Sequence, residues 1–251
     1  KTLLVHCWRG GMRSAGVAWL LDLYGFKVYT LKGGYKLFRR WALNKLNESI
    51  EFKILGGYTG SGKTEVLKQL AKQNEAVVDL EALANHKGSA FGNIGMPDQP
   101  SQEMFENLLA TRLSETQKSY VWLEDESNMI GTKVIPKAFF MKMRNSPVFF
   151  LDIPFEERLN YLVSEYGKFN VEELKEAINR ITKKLGGQHA KTALDAIDNG
   201  DLKSAFGICL AYYDKTYDYG KNKRIPETIV NCSFQELDAK KIAKEIVQMS
   251  K

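Results

Sequence analysis

Apolar residues along this chain fall in short, nearly unbroken runs separated by stretches of helical spacing. Runs at 52–55, 76–80, 120–124 and 147–153 have strand length and lack the clean alternation of a sheet with one wet face. They predict parallel strands buried on both sides. A helix is expected over 63–73. Residues 154–221 read as mainly helical, with Glu/Lys-rich surfaces and aromatic anchors, and a strand at 228–232 and an amphipathic helix at 237–249 close the chain. The opening is a smaller unit. It reads as a strand over 2–6, a tight loop to Arg13, and a helix over 14–24 with Ser14 at the N-cap. Val17, Ala18, Leu21 and Tyr24 give that helix its apolar face. A short strand at 28–31, a Gly33-Gly34 turn and a basic helix through Trp41 to about Lys45 follow. The polar stretch 44–51 divides the chain into a small α/β unit over 1–47 and a larger one over 48–251, the latter carrying a helical insertion over about 154–221.

Composition narrows the class. With 251 residues, 44% hydrophobic and 26% charged, the chain has the make-up of an ordinary globular protein. No run reaches the ~18 apolar residues of a membrane span, so no membrane role is expected. Cys7, Cys209 and Cys232 make an odd count without metal-type spacing, which suits the cytoplasm. The net charge of +6 is uneven. Residues 1–50 hold nine Lys and Arg against Asp22 and Glu48, a net +7, and the remainder comes to −1. A basic excess confined to the first unit suits an anionic partner such as nucleic acid, although a merely solvated basic face reads equally well. The chain starts at Lys1 with a buried-strand pattern at once, and the expectation is that a preceding segment or a separate chain completes the first unit.

Two motifs carry chemistry. Residues 57–64, Gly-Tyr-Thr-Gly-Ser-Gly-Lys-Thr, match G-x-x-x-x-G-K-[ST] between a predicted strand and a predicted helix, the context a P-loop requires. Gly57, Gly60, Ser61 and Gly62 let backbone amides turn around an anion. Lys63 adds a charge, and Thr64 offers a hydroxyl to Mg²⁺. The larger unit is therefore expected to be a P-loop NTPase-like parallel sheet with helices on both faces. Glu124, Asp125 and Glu126 end a strand as a Walker B element does, and Asp79 ends another; any of them is a candidate for holding Mg²⁺ or orienting substrate. The glycine-rich stretch 85–102 is a functional loop by its length, with His86, Lys87 and Ser89 as candidate contacts.

The second motif is His6-Cys7-Trp-Arg-Gly-Gly-Met-Arg13-Ser14, of the form H-C-x₅-R-[ST]. Five residues between Cys7 and Arg13 let amides ring a tetrahedral anion above the sulfur, and the helix that follows favours the thiolate. Arg13 closes the ring as a bidentate fork. Two chemistries share this signature, thiolate attack on phosphorus and persulfide or selenide carriage. The string Leu31-Lys-Gly-Gly-Tyr35-Lys-Leu-Phe-Arg-Arg-Trp41 resembles the closing element of rhodanese domains and favours the second. Cys209, among Phe206, Ile208 and Leu210, reads as core.

The cysteine loop followed directly by the P-loop resembles the tRNA 2-selenouridine synthase family. Asp79-Leu-Glu-Ala-Leu-Ala-Asn-His86-Lys-Gly-Ser-Ala-Phe-Gly92, Gln99-Pro-Ser-Gln102, Glu124-Asp-Glu-Ser127, Ile130-Gly131 and Leu185-Gly-Gly187 extend the likeness over nearly the whole chain. The resemblance implies that residues 1–47 are the C-terminal part of a rhodanese-like domain. It also implies a transferase that replaces the sulfur of a tRNA wobble 2-thiouridine by selenium, with selenophosphate and geranyl diphosphate as co-substrates and an S-geranyl intermediate. Such an enzyme has tRNA and small phosphorylated donors as partners. On this reading the P-loop takes the diphosphate, Cys7 and Arg13 handle selenium, and Arg9, Lys36, Arg39 and Arg40 are candidate tRNA contacts. The competing readings are an ATP- or GTP-dependent P-loop kinase or ATPase fused to the cysteine module, and a non-catalytic RNA-binding adaptor.

Overall fold

The computed structural model describes residues 1–250. Its first unit contains β1 (Thr2–Val5), α1 (Met12–Leu23), β2 (Lys27–Thr30) and α2 (Gly34–Lys45). β1 and β2 pair in parallel, Leu3 opposite Val28. Helix α1 starts two residues earlier than the apolar spacing predicts. Its N-cap is Gly11, and Ser14 lies inside the first turn with its hydroxyl donating to Gly11 O at 2.9 Å. The predicted apolar face is only partly covered. Ala18 and Leu21 are half-buried, whereas Val17, Trp19, Leu23 and Tyr24 are exposed.

The larger unit begins with β3 (Glu51–Gly57), α3 (Lys63–Lys72), α4 (Leu80–Ala84), α5 (Gln102–Ser114) and β4 (Tyr120–Glu124). A small antiparallel pair, β5 (Met129–Ile130) and β6 (Lys133–Val134), leads into α6 (Lys137–Asn145) and β7 (Val148–Asp152). Helices α7 (Phe155–Tyr166), α8 (Val171–Leu185), α9 (Gly187–Asp198) and α10 (Leu202–Lys221) precede β8 (Ile229–Ser233) and α11 (Ala239–Met249).

Strands β4, β3, β7 and β8 form one parallel sheet in that order. Alternate residues of each strand enter different cores. Phe52, Ile54, Val121, Leu123, Val148 and Phe150 pack with α4, α5 and α6. Leu55, Trp122, Phe149 and Leu151 pack with α3 and α11 on the other face. This two-sided burial is why the strands lack polar alternation, and it gives the expected P-loop α/β sheet with helices on both faces. The strand expected over 76–80 shrinks to a bridge between Val77 and Trp122. Asp79 ends it, because its carboxylate accepts the Ala82 amide at 2.7 Å and starts α4.

Helices α7 to α10 build a separate apolar core around Leu174, Ile178, Ala193 and Phe206. Helix α2 does not stay with β1 and β2 alone. Its Ala42, and Leu46 just after the helix, are buried in the core of the larger sheet, and the same face of the helix, through Tyr35 and Arg39, lies along α5.

Candidate functional site

The P-loop joins β3 to α3, and its position follows from the parallel sheet, where loops after β-strands gather at one end. Lys63 Nζ donates to the carbonyls of Gly57 at 3.0 Å and Tyr58 at 3.3 Å, and lies 5.4 Å from the Tyr217 ring centroid. Ser61 Oγ is buried without a hydrogen-bond partner among the described residues. The loop is held from outside by groups that no motif announces. Arg158 of α7 donates to Thr59 O at 3.1 Å and makes a two-pronged pair with Asp214 of α10, both contacts at 2.8 Å. Tyr58 Oη donates to Asp218 at 2.7 Å.

Four carboxylates were candidates beside this loop, and the structure divides them. Asp79 caps α4. Asp125 accepts from Arg224, with Arg144 at 3.7 Å. In each case the contact uses Oδ1, as a helix cap in Asp79 and as an ion pair in Asp125, and Asp125 also lines the cavity at the P-loop. Glu124 and Glu126 are buried on the loop side. Glu124 Oε1 accepts the Glu81 amide at 2.6 Å, and its Oε2 has no partner. Burial pushes both carboxyls well above the ordinary range. For Glu124 the charges of Asp79 and Glu81 add to this, and for Glu126 the charge of Glu81 does. Glu81, absent from the sequence-level candidates, is likewise raised by burial, and it accepts from Thr64 Oγ1 at 3.2 Å. Its only sequence signal was its place two residues after a strand-end aspartate.

The glycine-rich loop after α4 covers these carboxyls. Gly88 sits at φ +70°, and a Cβ there would lie 2.9–3.0 Å from oxygens of Glu81 and Glu126, so the close approach requires glycine. His86 serves the loop itself, its Nδ1 accepting from Gly88 N at 3.2 Å, while Lys87 pairs with Glu165. Gln99 fastens the loop's far end to Ala84 O and Ile130 O.

A cavity of about 860 Å³ opens at the P-loop. Gly60, Lys63, Thr64, Glu81 and Glu126 give it a polar lining at the P-loop. Phe91 of the glycine-rich loop and Leu162, Tyr166, Phe206, Leu210 and Tyr213 of the helical region give it an apolar lining. Cys209 also belongs to that lining, buried as expected, with its thiol pushed up to about 12 by burial.

The cysteine loop lies on the other unit. Gly11 N donates to Cys7 Sγ at 3.4 Å, and Ser14 Oγ is 3.4 Å from the sulfur. The Ser14 hydroxyl, then the Gly11 amide, lowers the Cys7 thiol to about 6. One hydroxyl proton serves either Gly11 O or the sulfur, so thiolate formation draws it to the sulfur. Tyr35 N and Lys36 N donate to the carbonyls of Cys7 and Trp8 at 3.0 and 2.9 Å, which seats the loop on the start of α2. Gly10, at φ +65°, faces the Gly33-Gly34 turn so closely that a Cβ would lie 2.6 Å from Gly34 N.

Arg9, Arg13, Lys36 and Arg40 are exposed and make no ion pair or side-chain hydrogen bond among the described residues. Arg39 differs from that expectation. Its guanidinium is pinned between Glu106 and Asn107 of α5, with Glu103 at 3.8 Å, and so joins α2 to the larger unit. No group of three or more His, Cys, Asp or Glu arranged to hold a metal occurs among the described residues. Among the described residues no helix is long and apolar enough to cross a membrane.

Fold and site together define a P-loop α/β protein that bears a second loop built around Cys7. A family described as tRNA 2-selenouridine synthase AAA domain matches residues 50–246. The chain is 36% identical to the tRNA 2-selenouridine synthase of Hydrogenovibrio crunogenus, covering 88% of this chain and 69% of that protein. It is also 36% identical to that of Marinobacter nauticus, over 90% of this chain and 70% of the relative. This chain belongs to the tRNA 2-selenouridine synthase family. Among solved structures, the tRNA isopentenylpyrophosphate transferase of Bacillus halodurans aligns over 81% of this chain and 96% of its own, with 13% identity and a TM-score of 0.44.

Proposed function

We propose that this chain is a cytoplasmic transferase that exchanges the sulfur of a tRNA wobble 2-thiouridine for selenium through an S-geranyl intermediate. The observation that carries this reading is the form of the P-loop cavity. One cavity joins polar P-loop residues suited to a diphosphate with aromatic and aliphatic residues suited to a ten-carbon tail. In the first step the thiocarbonyl sulfur bonds to the geranyl carbon as that carbon's bond to diphosphate oxygen breaks. Lys63 and the loop amides stabilise the departing anion. Alkylation converts a poor leaving group into a thiol. The selenium of selenophosphate then bonds to the former thiocarbonyl carbon as the geranyl thiol departs. Water cleaves the Se–P bond to release phosphate, with Cys7 and Arg13 holding the selenium donor.

Thr64, Glu81 and Glu126 are hard oxygen donors at the cavity that would hold a Mg²⁺ ion, and such an ion would offset the negative charge of the diphosphate. The exposed apolar residues of the first unit, Trp19 and Leu23 among them, are a surface that a further segment or chain completing a rhodanese-like domain would bury.

Mass spectrometry of nucleosides from tRNA incubated with both donors tests the reading. Lys63→Ala is expected to lower geranylation by about 100-fold or more, as for loss of one charge-stabilising group at a developing anion. Selenation of tRNA already geranylated should persist. Loss of both steps together would overturn this division of labour. Turnover of ATP or GTP without geranyl diphosphate binding would favour a kinase or ATPase.

A further inference from the structure

We infer that Trp8 and the outer stripe of α2 form a binding site for one unpaired nucleotide, its base on the indole and its phosphate between Lys36 and Arg40. The inference rests on the tRNA reading above. Trp8 follows Cys7 directly, and half of its surface is exposed. It is nonetheless held: its carbonyl accepts from Lys36 N at 2.9 Å, and its ring lies 5.7 Å from that of Tyr35. A single exposed aromatic residue needs no explanation. This one borders a cavity of about 330 Å³ whose other walls are Lys36, Arg39, Arg40, Leu43 and Asn44. That volume is at the small end of ligand-sized cavities.

Positions 36, 40, 43 and 44 recur at i, i+4, i+7 and i+8, one stripe of a helix. Within that stripe the two cations have no carboxylate partner among the described residues. Arg39 has its charge matched by Glu106 and forms the floor. The site is thus a flat aromatic face with two unmatched positive charges beside it. A base in a duplex has both faces stacked and cannot lie on an indole, so the chemistry selects a nucleotide from a loop. A nucleotide bound there lies beside the loop that carries Cys7.

The test is anisotropy of a labelled anticodon-loop RNA with the protein and its variants, against a duplex of equal length. Trp8→Ala is expected to weaken loop binding roughly tenfold or more, and Trp8→Phe to keep most of the affinity. Duplex binding should not change. Lys36→Ala and Arg40→Ala should each reduce the slope of log affinity against log salt by about 1. Loop binding by Trp8→Ala within twofold of the unaltered protein would overturn the inference while leaving the proposed function standing. So would equal losses for loop and duplex, or displacement of the RNA by an acidic peptide at the same concentration as by free loop RNA. Absence of RNA binding by the unaltered protein would overturn both.

Discussion

At the scale of single residues, the motifs located the two candidate loops but not the partners that tune them. The thiolate at Cys7 follows from the spacing of Cys7 and Arg13, yet the group that lowers it most is Ser14, expected at a helix cap and found inside the first turn. Alkylation of Cys7 by iodoacetamide should rise with pH through about 6 and level off above it, because the thiolate is the reactive form. Ser14→Ala should move that midpoint upward toward the ordinary thiol value, and an unmoved midpoint would remove Ser14 from the account. The carboxylates make the same point. Asp79, Glu124, Asp125 and Glu126 look equivalent as strand-end acids. Only contacts distant in sequence, Arg224 with Asp125 and Glu81 with Glu124, separate a structural ion pair from buried carboxyls at the cavity.

At the scale of elements, the helical region is an anchor for the P-loop as well as a wall. Arg158 is 4% exposed and joins Thr59 of the loop to Asp214 across α7 and α10. Arg158→Ala removes the buried partner of a pair whose Asp214 is only partly buried and leaves Asp214 and the Thr59 carbonyl unmatched. Urea unfolding should show a loss of about 2–3 kcal/mol, below the value for a fully buried pair. A loss below about 1 kcal/mol would mean that the loop does not depend on α7. Helical periodicity over 154–221 was readable as helix, because it is a local property of 3.6-residue spacing. Nothing local told which face of those helices would line a cavity, since Phe206 and Leu210 look like core residues in either role.

At the scale of the whole molecule, the two loops are mechanically joined. Arg39 ties α2 to Glu106 and Asn107, and Ala42 and Leu46 enter the core of the large sheet. Arg39→Ala should speed tryptic cleavage after Lys45, between α2 and β3, and leave the salt slope of RNA binding unchanged. A fall in that slope with no change in cleavage would return Arg39 to the phosphate contacts. By itself the sequence determined the parallel sheet and both loop motifs. Each of these depends on residues within about ten positions of one another: strand runs, glycine spacing, a cysteine five residues from an arginine. The tertiary structure alone decided which charges stayed free, which carboxyls were buried together, and which residues line the P-loop cavity. Those depend on pairs such as Arg158–Asp214 and Arg39–Glu106, more than fifty residues apart, whose approach only the packed fold fixes.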